Sequence, residues 1–191
     1  MSIPCPRAIV WFIILALLCA GCTRSTANNP AQSRRQPSRY EAASEKKSPP
    51  ANFTGRAVSV EDGDTIVVLD DANQTHKIRL QGIDAPEGGQ AFGGESSESL
   101  SDMVFGKQVE VEWSKRDRYR RIVGKVLLDH SDICLQQIRA GMAWHYKYYQ
   151  NEQSADDRNL YSNAEDKARA ERLGLWSGDH PIPPWQFRRG R

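Results

Sequence analysis

Cysteine is scarce where it could matter. Of four cysteines in 191 residues, three stand at positions 5, 19 and 22, leaving Cys134 alone in the rest of the chain. A disulfide framework and a thiolate metal site are both excluded for that part, which must stand on its core. Long hydrophobic runs are lacking too. The apolar stretch Ile9–Leu18 falls short of the roughly 20 residues of a membrane span. Nor is one sign of charge in surplus, with 26 basic against 24 acidic residues and a formal charge of +2. Over residues 53–191 acids outnumber bases, 22 to 19. That balance excludes a uniformly basic nucleic-acid-coating protein and leaves room for a local basic cluster. The length suits one domain of ordinary size.

A short basic start ending at Arg7, the apolar run and the small residues Ala20-Gly21 together read as a secretory signal. Its end, Leu18-Cys19-Ala20-Gly21-Cys22, resembles the lipobox of bacterial lipoproteins. That resemblance implies cleavage before Cys22 and an acyl anchor on it, although Cys19 stands where Ala or Ser is usual. Ordinary secretion and a retained N-terminal anchor are the alternatives. Thr23 in place of an Asp after the lipidated cysteine favours the outer over the inner membrane. Residues 23–52 are rich in Ser, Thr, Asn, Gln, Pro, Arg and Lys, with Tyr40 their only aromatic. Such a composition buries too little surface to offset its ordering entropy. It reads as a positively charged spacer from the membrane, with contact to anionic lipid or DNA as the sharper alternative. The organisation expected is a signal peptide over 1–21, a lipidated N-terminus and tether over 22–52, and a folded domain over 53–191.

From Phe53 the pattern changes to alternation. Strands are predicted around Ala57–Val60, over Thr65–Leu69 and over Thr75–Ile83, joined by the Glu61-Asp62-Gly63-Asp64 and Asp70–Gln74 turns. Apolar residues at 100, 103 and 104 give residues 95–105 a helical period that ends at Gly106. Val109–Trp113 and Ile122–Leu128 supply two more strands, and Ile133–Ala140 and Ala155–Arg172 two more helices. A mainly β chain of the α+β class follows, a small closed barrel of five strands with three helices packed outside. The tail from Gly174 through Trp185 reads as extended, with Trp176 and Trp185 packing on the barrel or the last helix.

Asp62 and Asp64 flank a glycine, and Asp84 and Glu87 flank Pro86 just after the third strand. In a meander the start of strand two and the end of strand three share one end of the sheet, so Asp64 and Asp84 can meet. Each acid alone is adequately explained as a turn residue. Gathered at one mouth, they require a cation or a proton. Arg79 leads into Asp84, and Arg121 opens a strand after a basic stretch. Two guanidinium groups beside a hard-cation site suit a phosphodiester, whose oxygens they can hold more tightly as charge develops.

Three blocks carry a family resemblance: Val60-Glu61-Asp62-Gly63-Asp64-Thr65, Arg79-Leu80-Gln81-Gly82-Ile83-Asp84-Ala85-Pro86-Glu87 and Asp117-Arg118-Tyr119-Arg120-Arg121. They resemble the active-site blocks of the thermonuclease, or staphylococcal-nuclease-like, family. Gly141-Met142-Ala143-Trp144 and the stretch from Ala164-Glu165 to Gly174-Leu175-Trp176 resemble its helical C-terminal part. The similarity spans about residues 53–178.

The resemblance implies an OB-fold barrel and a calcium-dependent endonuclease of the micrococcal-nuclease type. Such an enzyme cleaves DNA and RNA with little sequence preference on the 5'-oxygen side, leaving 3'-phosphate ends. Asp64 and Asp84 would be Ca2+ ligands, with the Ala85 carbonyl a third and Asp62 a support behind them. Glu87 would orient or deprotonate the attacking water. Arg79 and Arg121 would bind the phosphate. Tyr148 or Tyr149, in His145-Tyr146-Lys147-Tyr148-Tyr149, would stack on a base, and His145 reads as a packed or exposed residue in preference to a catalytic one. Two positions depart from the family pattern. Ala85 stands where Thr is familiar, and Arg120 where Gly usually precedes the catalytic arginine, which strains the chain if that glycine serves a positive φ. The soluble domain is expected to be a monomer. A noncatalytic nucleic-acid or envelope-protein binding module on the same barrel is the alternative, and a purely structural lipoprotein leaves the converging charges unexplained.

Overall fold

The computed structural model describes residues 51–190, so the signal, Cys22 and most of the tether lie outside the described residues. In chain order the strands are β1 (Ala51–Asp62), β2 (Thr65–Asp70), β3 (Thr75–Leu80), β4 (Ile83–Asp84), β5 (Gln108–Arg116), β6 (Ile122–Leu128), β7 (Ser131–Asp132) and β8 (Trp144–His145). The helices are α1 (Gly93–Val104), α2 (Ile133–Arg139), α3 (Ala155–Ala170) and the short α4 (Pro184–Phe187).

β1 is long enough to belong to both halves of a barrel. Its C-terminal half pairs antiparallel with β2, and its N-terminal half with β5. Register shifts between Ala57 and Ser59 and between Val60 and Asp62 let the strand bend between them. β2 pairs with β3 and β5 with β6, both antiparallel. The parallel pairing of β3 with β6, Ile78 opposite Ile122 and Leu80 opposite Gly124, closes the ring. This is the expected five-stranded barrel of OB-fold, nuclease-type architecture, and its closure leaves no open edge among those strands.

Alternate residues of the strands fill the interior, including Ala57, Ile66, Val68, Ile78, Val111, Ile122 and Val126, each at most 1% exposed. Leu100 and Val104 of α1, Ile133 and Ile138 of α2 and Tyr161 of α3 join the same core. Asp132 caps α2 by accepting from the Leu135 N–H, and Ser154 caps α3 by accepting from the Asp157 N–H. The Tyr161 hydroxyl donates to Asp132 at 2.7 Å, and Lys125 of β6 donates to Asp157 at 2.7 Å, fastening α3 to the barrel. Cys134 is a buried free thiol. A second, smaller cluster joins Trp144, Ala168, Leu175 and Trp176, with Trp185 packed against it.

Two expectations need correction. The third strand ends at Leu80, not Ile83. Gly82 turns the chain at φ +77°, and Ile83 and Asp84 then leave the barrel to pair with His145 and Trp144. The tail is not simply extended. Gly174–Ser177 forms a 3-10 turn and Pro184–Phe187 a helical turn whose opening Pro184 follows extended Pro183.

Candidate active site

The turn between β1 and β2 is pressed against α1. A Cβ on Gly63 would stand 1.8 Å from Ser96 Oγ and 2.7 Å from the Ala85 Cβ, so only glycine permits the approach. Gln137 of α2, fully buried, donates to the Gly63 carbonyl at 2.9 Å and to the Ser96 carbonyl at 3.0 Å. Helix and turn are thereby locked together.

Asp64 is held by one bond through its backbone and two through its carboxylate. Its own N–H donates to Asp62 Oδ1 at 3.0 Å, Thr65 Oγ1 donates to its Oδ1 at 3.0 Å, and the Ala85 N–H donates to its Oδ2 at 2.8 Å. The last bond brings the start of β2 to the end of β4. Arg79 Nη2 sits 2.9 Å from Asp64 Oδ2 and 2.9 Å from Asp84 Oδ1, while its Nη1 donates to the Leu80 carbonyl at 2.8 Å. The two carboxylates therefore converge on a single nitrogen. Burial pushes the Asp64 carboxyl up to about 7; Arg79 opposes that rise, while Asp62 and Asp84 add to it.

Arg121 is held by its own turn. Asp117 Oδ1 accepts from the N–H groups of Tyr119 and Arg121 at 2.9 Å each, and its Oδ2 accepts from Arg121 Nε at 2.7 Å. Partial burial acts to raise the Asp117 pKa, but these bonds outweigh it and hold it below the usual carboxylate range. Arg120 adopts φ +66°, the left-handed conformation that favours glycine.

A cavity of about 650 Å³ is lined by Asp62, Asp64, Asp84, Ala85 and Glu87 together with Arg79 and Arg121. Every catalytic and metal candidate from the sequence faces this one space. Tyr149 lines it as well; Tyr148, 78% exposed, lines a smaller adjoining cavity instead. His145 is packed, its Nε2 2.9 Å from Gln153 Oε1. Among the described residues, no three His, Cys, Asp or Glu side chains gather as a metal-ligand group.

Three residues at or behind the site, Arg188, Asp117 and Gln137, have no role assigned from the sequence, and Tyr146 appears there only as part of the aromatic group. Tyr146 and Arg188 line the cavity, Asp117 fixes Arg121, and Gln137 fixes the Gly63 turn. Asp117 lies inside a recognised block and the adjacent arginines signal its pairing. Gln137 and Arg188 carry no local signal, because their partners are 74 and about 100 residues distant.

A closed five-stranded barrel with outer helices and acids and guanidinium groups at its mouth defines the class, an OB-fold of nuclease type. Residues 77–178 match the family described as staphylococcal nuclease homologue. The chain is 40% identical over 136 residues to an uncharacterized endonuclease of Haemophilus influenzae, covering 71% of this chain and 73% of the relative. It is 40% identical over 148 residues to a micrococcal nuclease of Shigella flexneri, covering 73% and 82%. An uncharacterized endonuclease of Escherichia coli is 40% identical over 139 residues, covering 72% and 86%. The chain belongs to the staphylococcal nuclease family, and family-level similarity supports nuclease function in general.

Proposed function

We propose that the protein is a calcium-dependent endonuclease hydrolysing DNA and RNA to 3'-phosphate ends. The observation that carries this reading is the single cavity onto which Asp64, Asp84, Glu87, Arg79 and Arg121 all open. Its donor chemistry fits a hard divalent cation. Asp64 and Asp84 bring carboxylate oxygens close together, each 2.9 Å from Arg79 Nη2, and both are nearly inaccessible to water. Asp64, Asp84 and the Ala85 carbonyl would hold the ion. Bound there, Ca2+ would supply positive charge to a phosphoryl oxygen.

The chain's own residues do the remainder. Asp62 accepts from the Asp64 N–H and so holds the backbone from which that carboxylate projects. Glu87 orients a water and accepts its proton as the oxygen attacks phosphorus. Arg79 and Arg121 hold nonbridging oxygens, and their grip strengthens as negative charge builds on them. The P–O5' bond breaks, the phosphate stays on the 3' side, and the 5'-oxygen takes up a proton. Tyr149 on the cavity wall offers a face for base stacking, which needs no particular base.

Export through the N-terminal signal, lipid attachment at Cys22 and a tether reaching to the folded domain are part of the same proposal. They place a monomeric nuclease domain at the cell envelope, on the outer membrane. The support is the sequence pattern of the first 52 residues.

The test is digestion of single-stranded DNA, duplex DNA and RNA by the full chain with calcium, magnesium or chelator, beside Glu87→Gln and Arg121→Lys. Calcium-dependent cleavage leaving 3'-phosphates, lost in both variants, is the expected result. A folded chain that binds calcium and oligonucleotide yet cleaves nothing overturns the enzymatic reading in favour of the binding module.

A further inference from the structure

Arg188, just past α4 and ten residues beyond the matched family segment, reaches into the acidic cluster from outside the barrel. Its Nη2 sits 2.8 Å from Asp84 Oδ2, and its Nη1 lies 3.2 Å from Asp84 Oδ1 and 2.7 Å from Glu87 Oε1. With Arg79 on Asp84 Oδ1, both oxygens of this 1%-exposed carboxylate are occupied. Burial acts to lower the Arg188 pKa, but the bonds to Asp84 and Glu87 prevail and hold it above the ordinary guanidinium value.

The rest of the segment is docked around the same cleft. Trp185 stacks on Tyr146, with ring centroids 5.3 Å apart and planes at 24°, and sets its edge on Trp144 at 5.5 Å. Gln90 Nε2 donates to the Ile182 carbonyl, and Gln90 Oε1 accepts from the Glu87 N–H at 3.2 Å. The segment therefore grips the loop that carries Glu87 and covers Tyr146, which lines the cavity.

Two features set the hold of Arg188 apart from the packing of Pro184 and Trp185. α4 has only four residues, and the Arg188 side chain is 42% exposed. Its hold thus depends on ionic bonds more than on burial. Those bonds use the same carboxylate oxygens that a cation would need. A bidentate guanidinium on Asp84 and a divalent ion on Asp84 compete for the same lone pairs.

Resting on the cation reading above, we propose that Ile182–Arg188 is an autoinhibitory strap. Arg188 occupies Asp84 and Glu87 in the resting protein, and a divalent cation must displace it before the cleft can take a phosphodiester. Calcium affinity is then set partly by how tightly the strap is held.

The experiment is calorimetric titration of the full chain with Ca2+ alone, no nucleic acid present, for the wild type, Arg188→Ala, Arg188→Lys and Asp84→Asn. Losing charge-assisted bonds of this kind, the Ala variant should bind Ca2+ about tenfold more tightly. The Lys variant, which keeps the charge and loses the fork, should fall between Ala and wild type, and Asp84→Asn should abolish the binding event. Thermal melts establish that each variant is folded. Equal or weaker Ca2+ affinity in Arg188→Ala, with binding still lost in Asp84→Asn, overturns the strap and leaves the cation site standing. Absence of Ca2+ binding by every form, Arg188→Ala included, overturns the cation site and the strap with it.

Discussion

Arg120→Gly should stabilise the protein, an unusual direction for a glycine substitution on a nuclease surface. Arg120 stands at φ +66° in the β5–β6 turn, where a side chain costs about 1–2 kcal/mol. Glycine removes that cost and gives back about 0.5–1 kcal/mol through the greater freedom of the unfolded chain. The net gain is about 0.5–1 kcal/mol, or a rise in Tm of about 2–4 °C for a domain of this size. The bonds of the turn use the Arg120 backbone alone. Its N–H donates to the Asp117 carbonyl at 2.9 Å and its carbonyl accepts from Arg116 at 3.0 Å, so both persist in the variant. Arg120→Ala is the control, since it removes the same guanidinium and keeps the Cβ at positive φ. Thermal and urea unfolding of the three forms decides the matter. If Ala raises stability as much as Gly does, charge repulsion between Arg120 and its neighbours is the cause and the strain argument is refuted.

Gly63→Ala should lower stability by about 2–3 kcal/mol, because its Cβ would meet Ser96 Oγ at 1.8 Å; a melt within 1–2 °C of wild type would mean that the turn lifts off α1 freely. Arg79 and Arg121 should separate in stability as they do not in proposed role. Arg79→Met exposes two buried carboxylates to each other and should cost about 3 kcal/mol, whereas Arg121→Met breaks a partly exposed pair and should cost below about 1 kcal/mol; equal losses in urea unfolding would refute the assignment of Arg79 as the buried counter-ion. His145 supplies a pH signature. Burial lowers its pKa from 6.5, so the unfolded chain binds more protons in mild acid and stability falls as pH drops below about 6.5. Between about pH 7 and pH 5, His145→Gln should therefore lose less stability than wild type, and parallel losses would show that the imidazole is not penalised when charged.

The barrel was legible because each of its strands carries its own alternation and its own turn. Ile66, Val68, Ile78 and Leu80 point inward at every second residue, and this period specifies a face without reference to the rest of the chain. The meander reading put Asp64 beside the end of strand three, but Asp84 reaches it through the Gly82 turn and the bond from the Ala85 N–H to Asp64 Oδ2. The two-residue strands β4 and β8 escaped the reading. Their pairing exists only because Gly82 turns the chain and α3 presents Glu165, which accepts from the His145 N–H, behind it. No period can be seen in two residues.

Arg188 escaped for a deeper reason. Arginine at a polar C-terminus is ordinarily solvated, and nothing in Gln186-Phe187-Arg188-Arg189 distinguishes one guanidinium from the other. What selects Arg188 is the deficit at the other end. Asp84 is taken out of water by the fold, and a buried carboxylate demands hydrogen-bonded positive charge. Arg79 reaches only one of its oxygens, so the fold leaves an ionic position to be filled. Buried carboxylates that need positive charge therefore attract whichever cationic group the chain can deliver, here Arg188. The stronger the pull of the carboxylates on the ion, the stronger is their pull on the strap. On the proposed reading, affinity for metal and self-occlusion rise together in this cleft, and the strap sets a threshold of cation concentration through the same residues to which the chemistry is assigned.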